Sequence, residues 1–140
     1  MNSKNLMSGL ALAFFAVAAQ AQVAVVVNPK SAAASMTADQ VAGIFLGKTA
    51  TLPSGATAAP ADQAEGSAVR EQFYSKVAGK QAAQVKAAWS RLVFSGKGTP
   101  PKELGSSADV KKFVAANPDA IGYIEKSAVD GSVKVVLTVD

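Results

Sequence analysis

Val23-Ala24-Val25-Val26-Val27-Asn28-Pro29 is a short run of β-formers that stops at Asn-Pro, and Thr37-Ala38-Asp39-Gln40-Val41-Ala42-Gly43-Ile44-Phe45-Leu46-Gly47 follows it. The first run has too few polar positions to alternate, so it reads as a strand buried on both faces. The second carries Thr and Gln three residues apart, the spacing of a capping box, in which each side chain bonds the other's backbone N–H. Val41, Ile44 and Phe45 then share one helical face, and Gly47 stands where a helix C-terminus calls for glycine. A buried strand feeding an amphipathic helix is the start of a layered α/β domain.

Downstream, Thr51 to Gly55 reads as a turn and Thr57 to Ala61 as a weak strand. A second helix is expected from Ser67, with Val69, Phe73 and Val77 four residues apart, to just before Gly79. A third runs from about Gln81 to Phe94, with Val85, Ala88, Trp89 and Leu92 on one stripe. Ser95-Gly96-Lys97-Gly98-Thr99-Pro100-Pro101 reads as a loop. Its Gly-Lys-Gly-Thr has only a superficial likeness to a phosphate loop, because it follows a helix and lacks the GxxxxGK[ST] spacing. Ser106 and Asp109 form a second capping-box pattern, opening a helix that buries Val110, Phe113 and Val114 and ends at Asn117-Pro118. Ala120 to Ile124 and Val133 to Val139 are strands joined through a turn at Asp130-Gly131. The expected order is β-α-(β)-α-α-α-β-β, a small mixed sheet flanked by about four helices.

Upstream, Lys4 precedes an apolar run from Leu6 to Ala19, and Ala19-Gln20-Ala21 is a small-x-small cleavage site. This is the layout of a secretory signal peptide over residues 1–21, and the run is shorter than the ~20 residues of a spanning helix. The expected mature protein is one domain, residues 22–140, secreted without stable membrane insertion. Of the formal charge of +4, one unit belongs to Lys4, and only Lys111-Lys112 are adjacent lysines in residues 22–140, so the charge is no nucleic-acid footprint. The chain has neither cysteine nor histidine. Disulfides, thiol or imidazole nucleophiles and the common zinc ligand sets are therefore excluded, and neither a cofactor nor an enzymatic activity is expected.

Asp62-Gln63-Ala64-Glu65-Gly66-Ser67-Ala68-Val69-Arg70-Glu71-Gln72-Phe73 places Gly-Ser where a loop becomes a helix. A helix start offers N–H groups without intrahelical partners and a partial positive charge, and glycine lets a ligand approach the backbone. With Ser67 at the N-cap, Arg70 occupies the third helical position, where the other two helix starts carry Gln40 and Asp109. The plainer reading makes Ser67 an N-cap and nothing more. Asp62 and Glu65 read as surface residues, Trp89 and Phe94 as core, and Tyr123 as a half-buried strand residue.

Four blocks occur in fixed order: Val25-Val26-Val27-Asn28-Pro29, Met36 to Lys48, Glu65 to Phe73, and Asn117-Pro118-Asp119-Ala120-Ile121-Gly122-Tyr123-Ile124. Together they resemble the periplasmic phosphate-binding proteins of ABC transporters, above all the short, single-lobe members of that family. The resemblance implies one periplasmic-binding-protein-like lobe and phosphate or a similar oxyanion as ligand. It lays the family's Arg-x-x-Gly-Ser-Gly-Thr loop on Gln63, Gly66, Ser67, Ala68 and Val69. Gly66, Ser67 and Ala68 would then bind through backbone amides and the Ser67 hydroxyl, flanked by Gln63 and Arg70. The family's arginine, second glycine and threonine are absent here. Two arrangements are compatible with a single lobe: a site closed by a second copy or by a membrane transporter or sensor partner, and an interaction or sensor-accessory protein that no longer binds the ligand.

Overall fold

A computed structural model describes residues 22–140; residues 1–21, and with them the expected signal peptide, lie outside the described residues. The elements are β1 (Val23–Val27), α1 (Ala38–Phe45), β2 (Ala59–Gln63), α2 (Ala68–Phe73), α3 (Ala82–Phe94), β3 (Lys102–Leu104), α4 (Ser107–Ala116), β4 (Ala120–Glu125) and β5 (Lys134–Val139). They build a five-stranded mixed sheet in the order β3-β2-β4-β1-β5. β2 runs parallel to both β3 and β4, whereas β1 lies antiparallel between β4 and β5.

All five residues of β1 are buried because both faces of the sheet are covered. Val23, Val25 and Val27 face the larger core with Ile121 and Tyr123 of β4, under α1, α2 and α3. Ala24 and Val26 face the smaller one with Ala120 and Ile124, under Val110 and Val114 of α4. The two-residue period of a strand and the helical stripes thus meet in register. Asn28 ties the layers: its amide donates to the carbonyls of Val114 and Ala115 (2.9 and 3.0 Å) at the end of α4.

Local chemistry explains most of the boundaries. At α1 both halves of the Thr37–Gln40 box are present, at 3.1 and 2.9 Å. At α4 only one half forms, with Ser106 Oγ accepting from the Asp109 N–H. α2 does not stop at Phe73 but widens into one π-helical turn, Tyr74–Ala78, closed by Gly79 at φ +66°.

The strands and the end of α3 depart from the sequence reading or add to it. β2 lies two residues later than the expected strand and includes Asp62 and Gln63. Its Pro60 falls beyond the end of β3, where no strand neighbours it on that side. β3 was not expected at all: it is a three-residue edge strand with charged, exposed Lys102 and Glu103, and it has no hydrophobic signal. β4 and β5 follow one another in the chain but are not partners, because β1 lies between them. Phe94 is 95% exposed rather than core, while Trp89 is buried as expected.

Candidate functional site

The C-terminal end of β2 delivers Asp62 and Gln63 into the protein, and the chain then loops through Ala64–Gly66 to α2. Gly66 has φ +86°, a backbone conformation suited to glycine, and only open space surrounds the position of a Cβ. Ser67 is the N-cap: its Oγ accepts from the Arg70 N–H at 3.2 Å and donates to Gln63 Oε1 at 3.3 Å. Gln63 Nε2 in turn donates to the Tyr123 carbonyl and to Ser107 Oγ (3.0 and 3.1 Å). The Ser67 N–H is bonded to the Ala64 carbonyl. Among the described residues, the N–H groups of Ala68 and Val69 have no partner, as expected for the first positions of a helix.

The expected site residues Gln63, Gly66, Ser67, Ala68 and Arg70 are therefore brought together, but three of them are spent on one another. Arg70 is 6% exposed. Its guanidinium donates to the Gln63 carbonyl at 2.8 Å and to Glu103 at 3.0 Å, and its Nε lies 3.9 Å from Asp62 Oδ1 without a hydrogen bond. Burial works against the charged form, yet the Asp62 carboxylate and the Glu103 bond outweigh it and hold Arg70 above its ordinary pKa. It braces the loop from beneath.

Asp62, expected at the surface, is buried at 5% exposure. It accepts from the Gln63 N–H (2.8 Å), from Tyr74 OH (2.5 Å) and from Tyr123 OH. Tyr123 is fully buried, not half-buried, and stacks flat on Phe73 at 4.0 Å between ring centroids. Tyr74 sits edge-on to the same ring at 5.0 Å. Glu65 is exposed, as expected, and pairs with Lys86 at 2.6 Å, which lowers its pKa. The sequence reading missed the Asp62–Tyr74–Tyr123 cluster. Its one local signal is that Asp62 stands at the end of a strand with no turn residue beside it.

The cluster has a pH signature. Burial, the Asp62 charge and the bonds to it push both phenols far above their ordinary value of about 10. In the native state the phenols stay protonated while those of an unfolded chain ionise. Their contribution to stability is thus whole below about pH 10 and falls as the pH rises past it. Tyr74 and Tyr123 are the chain's only tyrosines. In an alkaline titration the tyrosinate absorbance is expected to rise only together with loss of near-ultraviolet circular dichroism. Ionisation near pH 10 in a still-folded protein would contradict the cluster.

No family model matches the chain, and no curated protein matches it. The fold, however, matches solved structures. A protein classed as a phosphate ABC transporter substrate-binding protein, with bound phosphate, from Clostridium perfringens superposes with a TM-score of 0.68 at 24% identity, over 83% of this chain and 45% of that one. An ABC-type phosphate transport receptor from Vibrio cholerae gives 0.65 at 22% identity, over 83% and 46%. PstS from Borrelia burgdorferi gives 0.61 at 14%, over 83% and 47%. The chain spans about half the length of each. At the level of the fold, the resemblance to phosphate substrate-binding proteins holds, and with it the α/β, single-lobe architecture. Among the described residues no helix is long and apolar enough to cross a membrane.

Proposed function

We propose that this chain is a non-enzymatic periplasmic binding lobe that takes phosphate or a similar oxyanion at the loop from Gln63 to Ala68, where β2 passes into α2. One observation carries this reading. On a fold shared with phosphate-binding proteins, the Ala68 and Val69 amides have no partner among the described residues, and open space surrounds the Cβ position of Gly66 just before them. Parallel strands also gather ligands at their carboxyl ends, and this loop leaves the carboxyl end of β2. Arg70, bonded to Gln63 and Glu103, is a positioning residue rather than a ligand, as are Gln63 and the Ser67 hydroxyl.

A site of two amides is open to water, where each bond to an anion contributes less than in an enclosed cleft. A second copy of the chain, or a membrane transporter or sensor, would complete it. The internal bonding of Gln63, Ser67 and Arg70 favours a second reading, an interaction or sensor-accessory module on the same lobe.

The two separate by calorimetric titration with phosphate and sulfate. Ala68 is the first residue of α2, a position where proline fits and removes only the N–H. Ala68→Pro is expected to fold normally and weaken anion binding about tenfold, the loss of one charge-assisted bond. Ser67→Ala is expected to cost about 0.5–2 kcal/mol of stability through the lost cap, with a smaller effect on binding. No heat with any oxyanion up to millimolar levels would favour the interaction module.

A further inference from the structure

Two helices of this protein end in the same way. At the end of α1, Gly47 has φ +78° and the Lys48 N–H reaches back to the Gly43 carbonyl at 2.8 Å. At the end of α3, Gly96 has φ +73° and the Lys97 N–H reaches back to the Leu92 carbonyl at 2.8 Å. In both, the left-handed glycine and the back-bond satisfy the last helical carbonyls and set a lysine in the equivalent position, with a threonine soon after. The two loops, Gly47-Lys48-Thr49 and Gly96-Lys97-Gly98-Thr99, line one cleft.

Trp89 holds that cleft in shape. Its Nε1 donates to the Phe45 carbonyl at 2.7 Å, fixing the ring against the end of α1. A Cβ on Gly47 would lie 2.9 Å from the ring, and one on Gly98 would lie 3.1 Å from it. Each loop thus touches the indole through a glycine. The cleft has a volume of about 440 Å³. Its other polar wall is Thr57, held by its bridge to Thr51.

Among the described residues, Lys48 and Lys97 are the charged ones lining the cleft, and no carboxylate lines it. Neither lysine is in an ion pair among the described residues. The hydroxyls of Thr49, Thr57 and Thr99 add donors, while Ile44, Pro60 and Trp89 give an apolar floor. Cations and hydroxyls over an aromatic and aliphatic floor suit an anion with an apolar body. The volume lies in the range of small-molecule pockets and far exceeds an inorganic phosphate. The cleft adjoins the first half of β2, away from the carboxyl end where the loop to α2 begins.

We propose that the cleft between the Gly47-Lys48-Thr49 and Gly96-Lys97-Gly98-Thr99 loops binds a phosphate monoester of a small apolar or aromatic alcohol. The phosphate lies between Lys48 and Lys97, and the organic part rests against Trp89, Ile44 and Pro60.

Trp89 is the chain's only tryptophan, so its fluorescence reports on the site. Titration of the protein with phenyl phosphate is expected to give a saturable change that weakens as salt is added. Lys48→Ala/Lys97→Ala is expected to fold as stably and to bind at least about tenfold more weakly, as the loss of two charge-assisted contacts requires. Ser67→Ala and Ala68→Pro are expected to leave this titration unchanged, so failure of the loop at α2 and failure of this cleft are read separately. Inorganic phosphate is expected to compete about tenfold less well, for want of the apolar body. The proposal is overturned by no saturable change up to about 10 mM, the weak end of meaningful affinity. It is equally overturned by a change that persists in the double-lysine variant, or by inorganic phosphate displacing phenyl phosphate from this cleft as readily as the ester itself binds there.

Discussion

Asp62→Ala is expected to cost about 3–5 kcal/mol of unfolding free energy, the range for breaking a buried charge cluster by removing one partner. The carboxylate is nearly inaccessible, and the groups it serves are inaccessible too. Without it, Tyr74 and Tyr123 keep buried hydroxyls with no acceptor, and the Gln63 N–H keeps only its 3.1 Å contact with the Tyr123 oxygen. Arg70 keeps its charge in the same place with Glu103 and the Gln63 carbonyl as its remaining partners, and the Glu103 side chain is 52% exposed. Leaving such groups unpaired costs more than the bonds themselves contribute. Urea unfolding measures the loss. Asp62→Leu combined with Arg70→Leu should recover part of it, since a buried pair replaced by apolar residues of similar size is often tolerated. A loss below about 1 kcal/mol for Asp62→Ala, the value of an ordinary hydrogen bond, would mean the cluster is solvated.

Gly122→Ala is expected to destabilise by about 1–3 kcal/mol, the cost of forcing one extra methyl into a packed core. The added Cβ would lie 2.5 Å from Val110 Cγ1 and 3.3 Å from Val114 Cγ2. Val110 cannot swing aside, because a β-branched residue within a helix has essentially one side-chain rotamer. The whole of α4 would have to lift from β4, loosening the smaller core. Thermal unfolding of Gly122→Ala, Val110→Ala and the double variant tests this. The pair should be clearly less destabilised than the sum of the singles, and additive effects would place the strain elsewhere.

What could be read from the sequence follows the range of each signal. β1 was read to the residue, since a run of β-branched residues ended by Asn28-Pro29 needs no distant partner to identify it. The start of α1 and the N-cap role of Ser67 were equally local, each set by side chains within three residues. Phe94 was misread for a periodic reason. It lies nine residues after Val85, and at ~100° per residue that is the opposite side of α3. β3 is too short and too charged to carry a pattern. The burial of Asp62 was out of reach, because Tyr123 comes from a strand far along the chain and Tyr74 from the expected second helix, whose side-chain direction relative to β2 is set only by the tertiary fold. The same holds for the chemistry of the candidate loop. The sequence puts Gln63, Ser67 and Arg70 in one candidate loop, but only three dimensions reveal that they bond to one another.

The position of β1 between β4 and β5 governs the order in which this protein can assemble. Val23 is matched with Glu125 on one side and with Val139 on the other. Every ladder that β1 makes therefore closes a loop of nearly the whole domain, and the entropy of that closure comes due before the pairing can repay it. The parallel β2–β3–β4 side and the helices that cover it have shorter separations and are placed to form first. The protein is thus expected to fold slowly for its size. Until β4 and β5 close on it from far along the chain, the apolar β1 stays unpaired and available to any other chain or chaperone that meets it.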